Sequence, residues 1–422
     1  MARLMALILS CIASAALAQP LPTATPEAAG FSPEGLLRID RFFEREIAAG
    51  RVPGAVVAIA RDGKLVLYKS YGYLDKASGE RMPLDAIFNF ASMTKPMAVV
   101  GGLALTEDGR LPLKSRLDQY FPQFAKMQVG ILAPTADAKP EAARPIYIHD
   151  LMRHTSGITY GSRGDTPVHK LYPNGSADAA LEYTGDQLLA KLASLPLLYQ
   201  PGTVWDYGFS IDVLGLVIEK VTGQRLGDYL KAAVWDKVGM PDTTFHVPAA
   251  KRKRIARGLP NDPLTGKPQP IPFLDADVKF DCAGACAYGT VGDYLRFGQM
   301  LLDGGAIDGR RVLGAKTVAF MTSDHLGLNI KNQVAGIEPH RDGYGFGLGV
   351  AVRLVDGVAA IPGSPGDFTW NGAYGTAFWA DPQERLVVVY GTVAPGDMRK
   401  YYREQMADLV YGAVTQLKRT AR

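Results

Sequence analysis

Cysteine is scarce in this sequence, three residues in 422, at positions 11, 282 and 286. That excludes a small disulfide-dense scaffold and a cysteine-built zinc site, which needs a second ligand pair. Histidine is scarce as well, with six residues, none in an H-E-x-x-H or similar ligand spacing. No metal and no cofactor is therefore expected. Neither charge sign dominates: 46 basic residues face 42 acidic ones, a formal net charge of +4. Such a balance gives no electrostatic footing for a nucleic-acid partner. The one basic run, Lys251-Arg252-Lys253-Arg254, is short and reads as a solvated loop or helix end. Internal repeats of about 20 to 50 residues are absent, which excludes solenoids and propellers. The G-x-S-x-G nucleophile elbow is missing too, since Gly363-Ser364-Pro365-Gly366 has the wrong spacing. Past the first residues, no apolar run approaches the ~20 residues of a membrane span.

What is present describes a globular chain. Hydrophobic residues make up 47% and charged residues 21%, enough apolar material for a full core and too little charge for a disordered chain. The length allows one large mixed domain or two lobes. The start stands apart: a basic MAR, an apolar LMALILSCIASAA, then Ala16-Leu17-Ala18 before Gln19. This is the pattern of a signal peptide over 1–18, cleaved after Ala18, and it predicts an exported protein, periplasmic or secreted, with no membrane attachment afterwards. Its removal takes Cys11 with it. Cys282 and Cys286 remain, in D-C-A-G-A-C-A; they form either a disulfide, if the chain turns there, or two buried thiols.

Ser32-Pro33-Glu34 marks a helix start, with serine as cap and proline at the first position. Apolar spacing carries that helix to Gly50. GAVVAIA (54–60) and KLVLYKS (64–70) follow as strands joined through Asp62-Gly63, a hairpin signal. From 92 to about 340 the pattern is helices and loops, with helices expected over 92–109, 149–154, 185–194, 210–222, 225–237 and 290–303. Strands return at 346–354, 374–380 and 385–392, before a last helix over about 397–417. The order predicts an α+β fold: an antiparallel sheet built from both chain ends, flanked by the N- and C-terminal helices, with an inserted, mostly helical lobe. The expected division is 19–91 and 341–422 for the two parts of the α/β lobe and 92–340 for the helical one.

The chemistry concentrates at Phe88-Asn89-Phe90-Ala91-Ser92-Met93-Thr94-Lys95-Pro96, just before an apolar helix. Residues three apart on a helix share a face, so Ser92 and Lys95 are neighbours. Ser92 at the helix start lies where free N–H groups favour developing negative charge. A lysine near its ordinary ~10.4 is a poor base at neutral pH unless burial disfavours its charge; a neutral amine there could take the serine proton. Alone, S-x-x-K is as well explained by a capped helix bearing a surface lysine.

The wider pattern resembles the serine β-lactamase and penicillin-binding-protein superfamily, and within it the class C β-lactamase-like esterases, the family VIII carboxylesterases. The resemblance rests on Ser92-Met93-Thr94-Lys95, on Tyr207 within Pro201-Gly202-Thr203-Val204-Trp205-Asp206-Tyr207, on Trp370-Asn371-Gly372, and on Asp150-Leu151-Met152-Arg153-His154-Thr155-Ser156-Gly157. These stand in family order from about residue 30 to 415. It implies a carboxylesterase for short-chain esters, acting through an acyl-enzyme on Ser92, with Lys95 and Tyr207 as proton-handling partners and weak cephalosporin hydrolysis as a side activity. It further implies an oxyanion hole from the backbone N–H groups of Ser92 and Ala373, and a substrate surface at Trp370, Gly372 and Phe209.

Two departures from the β-lactamases bear on substrate. Phe209 stands two after Tyr207, where they carry asparagine, and Trp370 stands where they carry the lysine of K-T-G. Losing that lysine favours uncharged esters over carboxylate-bearing β-lactams, unless another cation, such as Arg341 from a nearby loop, takes its place. His154 is expected to support its loop by a hydrogen bond. The alternative functions are a class C-like β-lactamase or DD-peptidase, and a non-catalytic binding protein of the same fold.

Overall fold

The computed structural model of the protein describes residues 21–132, 139–269, 271 and 278–418. The expected signal segment and Cys11 lie outside the described residues.

Eight antiparallel strands form one sheet. Three come from the beginning of the chain: β1 (Gly54–Arg61), β2 (Lys64–Asp75) and β3 (Glu80–Arg81). Five come from its end: β4 (Tyr344–Phe346), β5 (Ala351–Arg353), β6 (Phe368–Asn371), β7 (Ala377–Asp381) and β8 (Leu386–Thr392). Their spatial order is β4-β5-β6-β7-β8-β1-β2-β3. The two ends of the chain meet at β1 and β8, from Ala55 opposite Thr392 to Arg61 opposite Leu386. The β1–β2 turn is the expected two-residue hairpin: Asp62 and Gly63 take φ of 52° and 71°, and Arg61 pairs with Lys64.

Both faces of the sheet are covered, so β1 reads as an unbroken apolar run. Alternate residues serve opposite cores. Val57 and Ile59 face α1 (Pro33–Ala48) and the last helix, packing with Phe42, Phe43, Tyr402 and Met406. Val56, Ala58 and Ala60 face the larger core under the helical part of the chain. α1 starts as its sequence demands: Ser32 Oγ accepts from Gly35 N at 3.0 Å and Pro33 occupies the first position.

Four further helices frame the cavity described below: α2 (Thr94–Glu107), α3 (Ser210–Thr222), α4 (Val291–Leu302) and α5 (Asp397–Tyr411). α2 lies against α3, and α4 lies across β1, β7 and β8.

The sequence pattern and the structure part in three places. Residues 346–354 form two strands instead of one, because Gly349 takes φ of 75° and reverses the chain where a Cβ would stand 2.8 Å from Val99 of α2. The helix expected over 225–237 is broken by a π-helical turn at Lys231–Trp235. The last helix ends at Tyr411. The basic run forms a 3-10 turn, Ala249–Arg254, in which Lys251 and Arg254 both pair with Asp242.

Candidate active site

Ser92 sits in a 3-10 turn, Ala91–Met93, that leads directly into α2. The turn is held in a strained form: Ala91 takes φ of 45°, a conformation that costs an ordinary residue energy. Three hydrogen bonds keep it there. Asn89 Oδ1 accepts from Ala91 N at 2.8 Å, Thr94 Oγ1 donates to Ala91 O at 2.7 Å, and Ala287 N donates back to Thr94 Oγ1 at 3.0 Å. Ser92 is thereby presented to a cavity of about 330 Å³.

Lys95, one helical turn on, is buried beneath the serine. Its Nζ lies 3.4 Å from Ser92 Oγ, 3.5 Å from Tyr160 OH and 2.6 Å from Gly284 O. It also stands 4.3 Å from the centre of the Tyr207 ring. Tyr160 OH forms a hydrogen bond of 2.5 Å with Ser176 Oγ, and Ser176 Oγ donates to Asp212 Oδ2 at 2.6 Å. With the serine hydrogen committed to the carboxylate, Tyr160 is the donor in its own bond. The chain of donors Lys95, Tyr160, Ser176 thus ends on one buried acid, Asp212 of α3. Gly284 closes the ring, its N–H donating to Asp212 Oδ1 at 2.8 Å while its carbonyl takes Lys95. Burial pushes the Asp212 carboxyl above the usual carboxylate range, against the opposing pull of the Lys95 charge. Burial also holds the Tyr160 hydroxyl well above the ordinary phenol range, so it remains protonated.

Gly284 reaches this point because it lies between Cys282 and Cys286, which are joined by a disulfide with their Cα atoms 5.2 Å apart. No side chain could replace its hydrogen: a Cβ there would stand 2.1 Å from Ser176 Oγ and 2.5 Å from Asp212 Oδ2.

Across the cavity, β6 supplies Trp370 and Asn371, with Gly372 and Ala373 following. Trp370 is buried, its Nε1 3.4 Å from Tyr207 OH, so it presents more than the expected apolar wall. Arg341 stacks on the Trp370 ring, its Cζ 4.4 Å from the ring centre. Three arginines grip the three residues after Trp370 in turn. Arg341 Nη2 donates to the Asn371 side-chain oxygen at 2.7 Å, Arg403 Nη2 to Gly372 O at 2.7 Å, and Arg399 Nη1 to Ala373 O at 3.3 Å. Arg403 is paired with Glu338, while Arg341 and Arg399 have no carboxylate within 4 Å among the described residues. The sequence expectation of a pocket without a cation is therefore corrected: the lysine is absent from the strand, and arginines from a neighbouring loop and α5 stand beside it.

Of the residues expected at the site, Ser92, Tyr207, Trp370 and Ala373 line one cavity, and Lys95 lies under Ser92. No hydrogen bond joins Tyr207 to Ser92 among the described residues. Phe209, expected at the substrate, is fully buried, edge-on to the Tyr160 ring at 4.6 Å, and does not line the cavity. Gly372 is buried as well; a Cβ there would stand 2.5 Å from Phe90 O, so its glycine lets the strand approach the nucleophile turn. His154 takes φ of 55°, and both its ring nitrogens are buried without partners. It supports its loop through its backbone, Asp206 N donating to His154 O at 3.0 Å, and through a ring contact of 4.7 Å with Tyr207. Burial, then the Lys95 charge, depress its ring well below the imidazole range, so it is neutral.

Tyr160, Ser176, Asp212 and Gly284 were not singled out by sequence. One signal was available for Asp212, an acid inside the otherwise apolar stretch Ile211–Ile218; no comparable signal marked the others.

The model of the family described as beta-lactamase matches residues 39–411. Protein Rv1367c of Mycobacterium tuberculosis (strain ATCC 25618 / H37Rv) is 35% identical over 362 residues, covering 82% of this chain and 87% of its own. Esterase EstB of Burkholderia gladioli is 29% identical over 368 residues, covering 82% and 86%. Among solved structures, EstCE1, described as a hydrolase with promiscuous acyltransferase activity, superposes with a TM-score of 0.72 at 26% identity, covering 90% of this chain and 99% of that one.

Proposed function

The chain belongs to the beta-lactamase family and is a serine hydrolase of that fold, and from this premise we propose that it is a carboxylesterase acting on short-chain esters through an acyl-enzyme on Ser92. The observation that carries the reading is the placement of Lys95 Nζ, 3.4 Å from Ser92 Oγ at the floor of the cavity. Two acceptors, Gly284 O and Tyr160 OH, occupy two of its N–H directions. The remaining direction faces Ser92, so a neutral amine would turn its lone pair to the serine hydrogen.

In the proposed sequence, Ser92 Oγ attacks the ester carbonyl carbon as its proton passes to Lys95. The backbone N–H groups of Ser92 and Ala373 would stabilise the oxyanion, the latter oriented by Arg403, which binds the carbonyl of the same peptide unit, Gly372 O. Tyr207, against Lys95 and Trp370, would hand a proton to the departing alcohol and then take one from the water that releases the acid. Export is part of the proposal, supported by the basic start, apolar run and A-x-A site of residues 1–18 and by the Cys282–Cys286 disulfide.

The experiment pairs turnover with labelling. The protein should hydrolyse 4-nitrophenyl butyrate faster than nitrocefin or a D-Ala-D-Ala peptide, and a fluorophosphonate should modify Ser92, located by peptide mass spectrometry. Ser92→Ala should lower ester turnover by about 10⁴-fold or more with the fold intact. Retained turnover in that variant, or a label elsewhere, would overturn the reading.

A further inference from the structure

Four arginines and one glutamate line the cavity that opens on Ser92: Arg163, Arg341, Arg399, Arg403 and Glu338. Glu338 is paired with Arg403, and its charge also supports those of Arg341 and Arg399 from farther off. That leaves three guanidinium groups without a carboxylate within 4 Å among the described residues. Arg341 is 2% exposed. Its Nη2 holds Asn371, and its buried Nε has no partner among the described residues. Arg399, half-buried, has only the long bond to Ala373 O. Arg163, on the opposite wall, keeps a buried Nε without a partner.

A buried cation without a counter-ion is costly, and proteins rarely leave one so. The arginines' hydrogen bonds to Asn371 and Ala373 explain their positions, but of the residues lining the cavity only Glu338 carries a carboxylate to answer their charges. Burial presses hardest against the charge on both Arg341 and Arg399 and Arg403 adds to it, with the opposing pull of Glu338 too weak to offset them. Both line the same cavity as Ser92 and Tyr207, and Trp370, which Arg341 overlies, has its Nε1 3.4 Å from Tyr207 OH. The Trp370 ring beneath Cζ and the bond to Asn371 hold the Arg341 guanidinium in place, and a guanidinium held in place suits recognition of a carboxylate.

We propose that the ester this enzyme serves carries a carboxylate, held beside Trp370 by Arg341 and Arg399. The inference rests on the reading of Ser92 as the nucleophile of this cavity. It reverses the preference that the loss of the strand lysine suggests by itself: the cation has moved from the strand to the loop and helix behind it. The substrate anion completes the charge balance on arrival, so the site binds it in exchange for water.

Two substrate pairs test the proposal on the full chain, one for each side of the ester bond. On the acyl side, 4-nitrophenyl hydrogen glutarate is compared with 4-nitrophenyl pentanoate. On the alcohol side, 5-acetoxy-2-nitrobenzoate is compared with 4-nitrophenyl acetate. The anionic member of at least one pair should have the larger kcat/KM, by about tenfold or more at low salt, with the ratio shrinking as salt rises. The pair that responds tells which side bears the carboxylate. Arg399→Gln and Arg341→Met should each draw that ratio towards one, and fluorophosphonate labelling of Ser92 reports whether each variant is folded. Should Arg341→Met fail to fold, the half-buried Arg399 carries the comparison. A wild type that turns over the neutral esters and favours neither anion overturns the proposal and leaves the esterase reading standing. A wild type that hydrolyses none of the four and takes no label at Ser92 overturns both.

Discussion

The two walls of the cavity handle charge in opposite ways. On the wall of Ser92, the lysine beside the nucleophile is answered inside the protein: the hydrogen bonds of Lys95 run through Tyr160 and Ser176 to Asp212, and Gly284 ties both ends together. On the wall of β6, three arginines hold three successive residues, and only one of them has an acid partner. The network around the nucleophile is complete before a ligand enters; the arginine wall is not. The difference separates two tasks: groups that move protons need a fixed, balanced setting before substrate arrives, and groups that select a ligand can leave part of the balance for the ligand to supply.

The sharpest way to break this comparison is on the balanced wall. Lys95→Ala and Tyr207→Phe should each lower kcat on a neutral ester by roughly 10²- to 10⁴-fold. The double variant should be little worse than the poorer single one, since the two act on one proton path. Steady-state kinetics on the four proteins of this cycle decide it, and multiplicative losses would mean that the residues act separately.

A smaller effect is expected on the other wall. Arg403→Met removes the bond to Gly372 O and strands Glu338, and should lower kcat roughly tenfold with a lesser change in KM, because the N–H of the same peptide unit faces the oxyanion. Arg403→Lys should recover part of the loss if orientation is the cause. A melting curve for each variant separates that from simple destabilisation; equal rise in KM and fall in kcat would argue against the role.

The smallest effect concerns pH. Burial is the first cause that lowers His149 and His340 from 6.5 to about 4. A histidine held neutral by folding binds fewer protons folded than unfolded, so its contribution to stability is whole above about 6.5 and is lost as pH falls towards 4. Melting temperature should decline across that window, and His149→Gln and His340→Gln should each flatten the decline. A decline unchanged in both variants would assign the acid sensitivity to other groups.

Much of this molecule was legible in its sequence. Asp62-Gly63 announced its hairpin, the apolar runs at both ends announced a shared sheet, and Ser92, Tyr207 and Trp370 stood in motifs that the fold gathers around one cavity. Contacts between distant segments were not legible. Nothing in the spacing of Tyr160, Ser176, Asp212 and Gly284 says that four separate segments meet at one lysine. Arg341 came into view as a replacement cation, yet its stacking on Trp370 and the grip of Arg399 and Arg403 on the same strand depend on how α5 docks. Phe209 misled because its place beside Tyr207 in the chain says nothing about which way a helix start turns its side chain; here it turns inward, beneath Tyr160.

The meeting of β1 with β8 has a consequence for how each molecule is made. Ala55 finds its partner in Thr392, and Arg61 in Leu386. A growing chain therefore carries the apolar strand β1 out of the ribosome long before its neighbour exists. The sheet cannot close, and β6, which faces Ser92 across the cavity, has no β8-anchored β7 to pair with until synthesis is nearly over. Pairings so distant along the chain are slow to form and leave a sticky strand unprotected meanwhile. A chain truncated between α4 and β6 would keep the residues of the Ser92–Lys95 turn and lose the opposite wall, so such incomplete products should be inert and prone to aggregate.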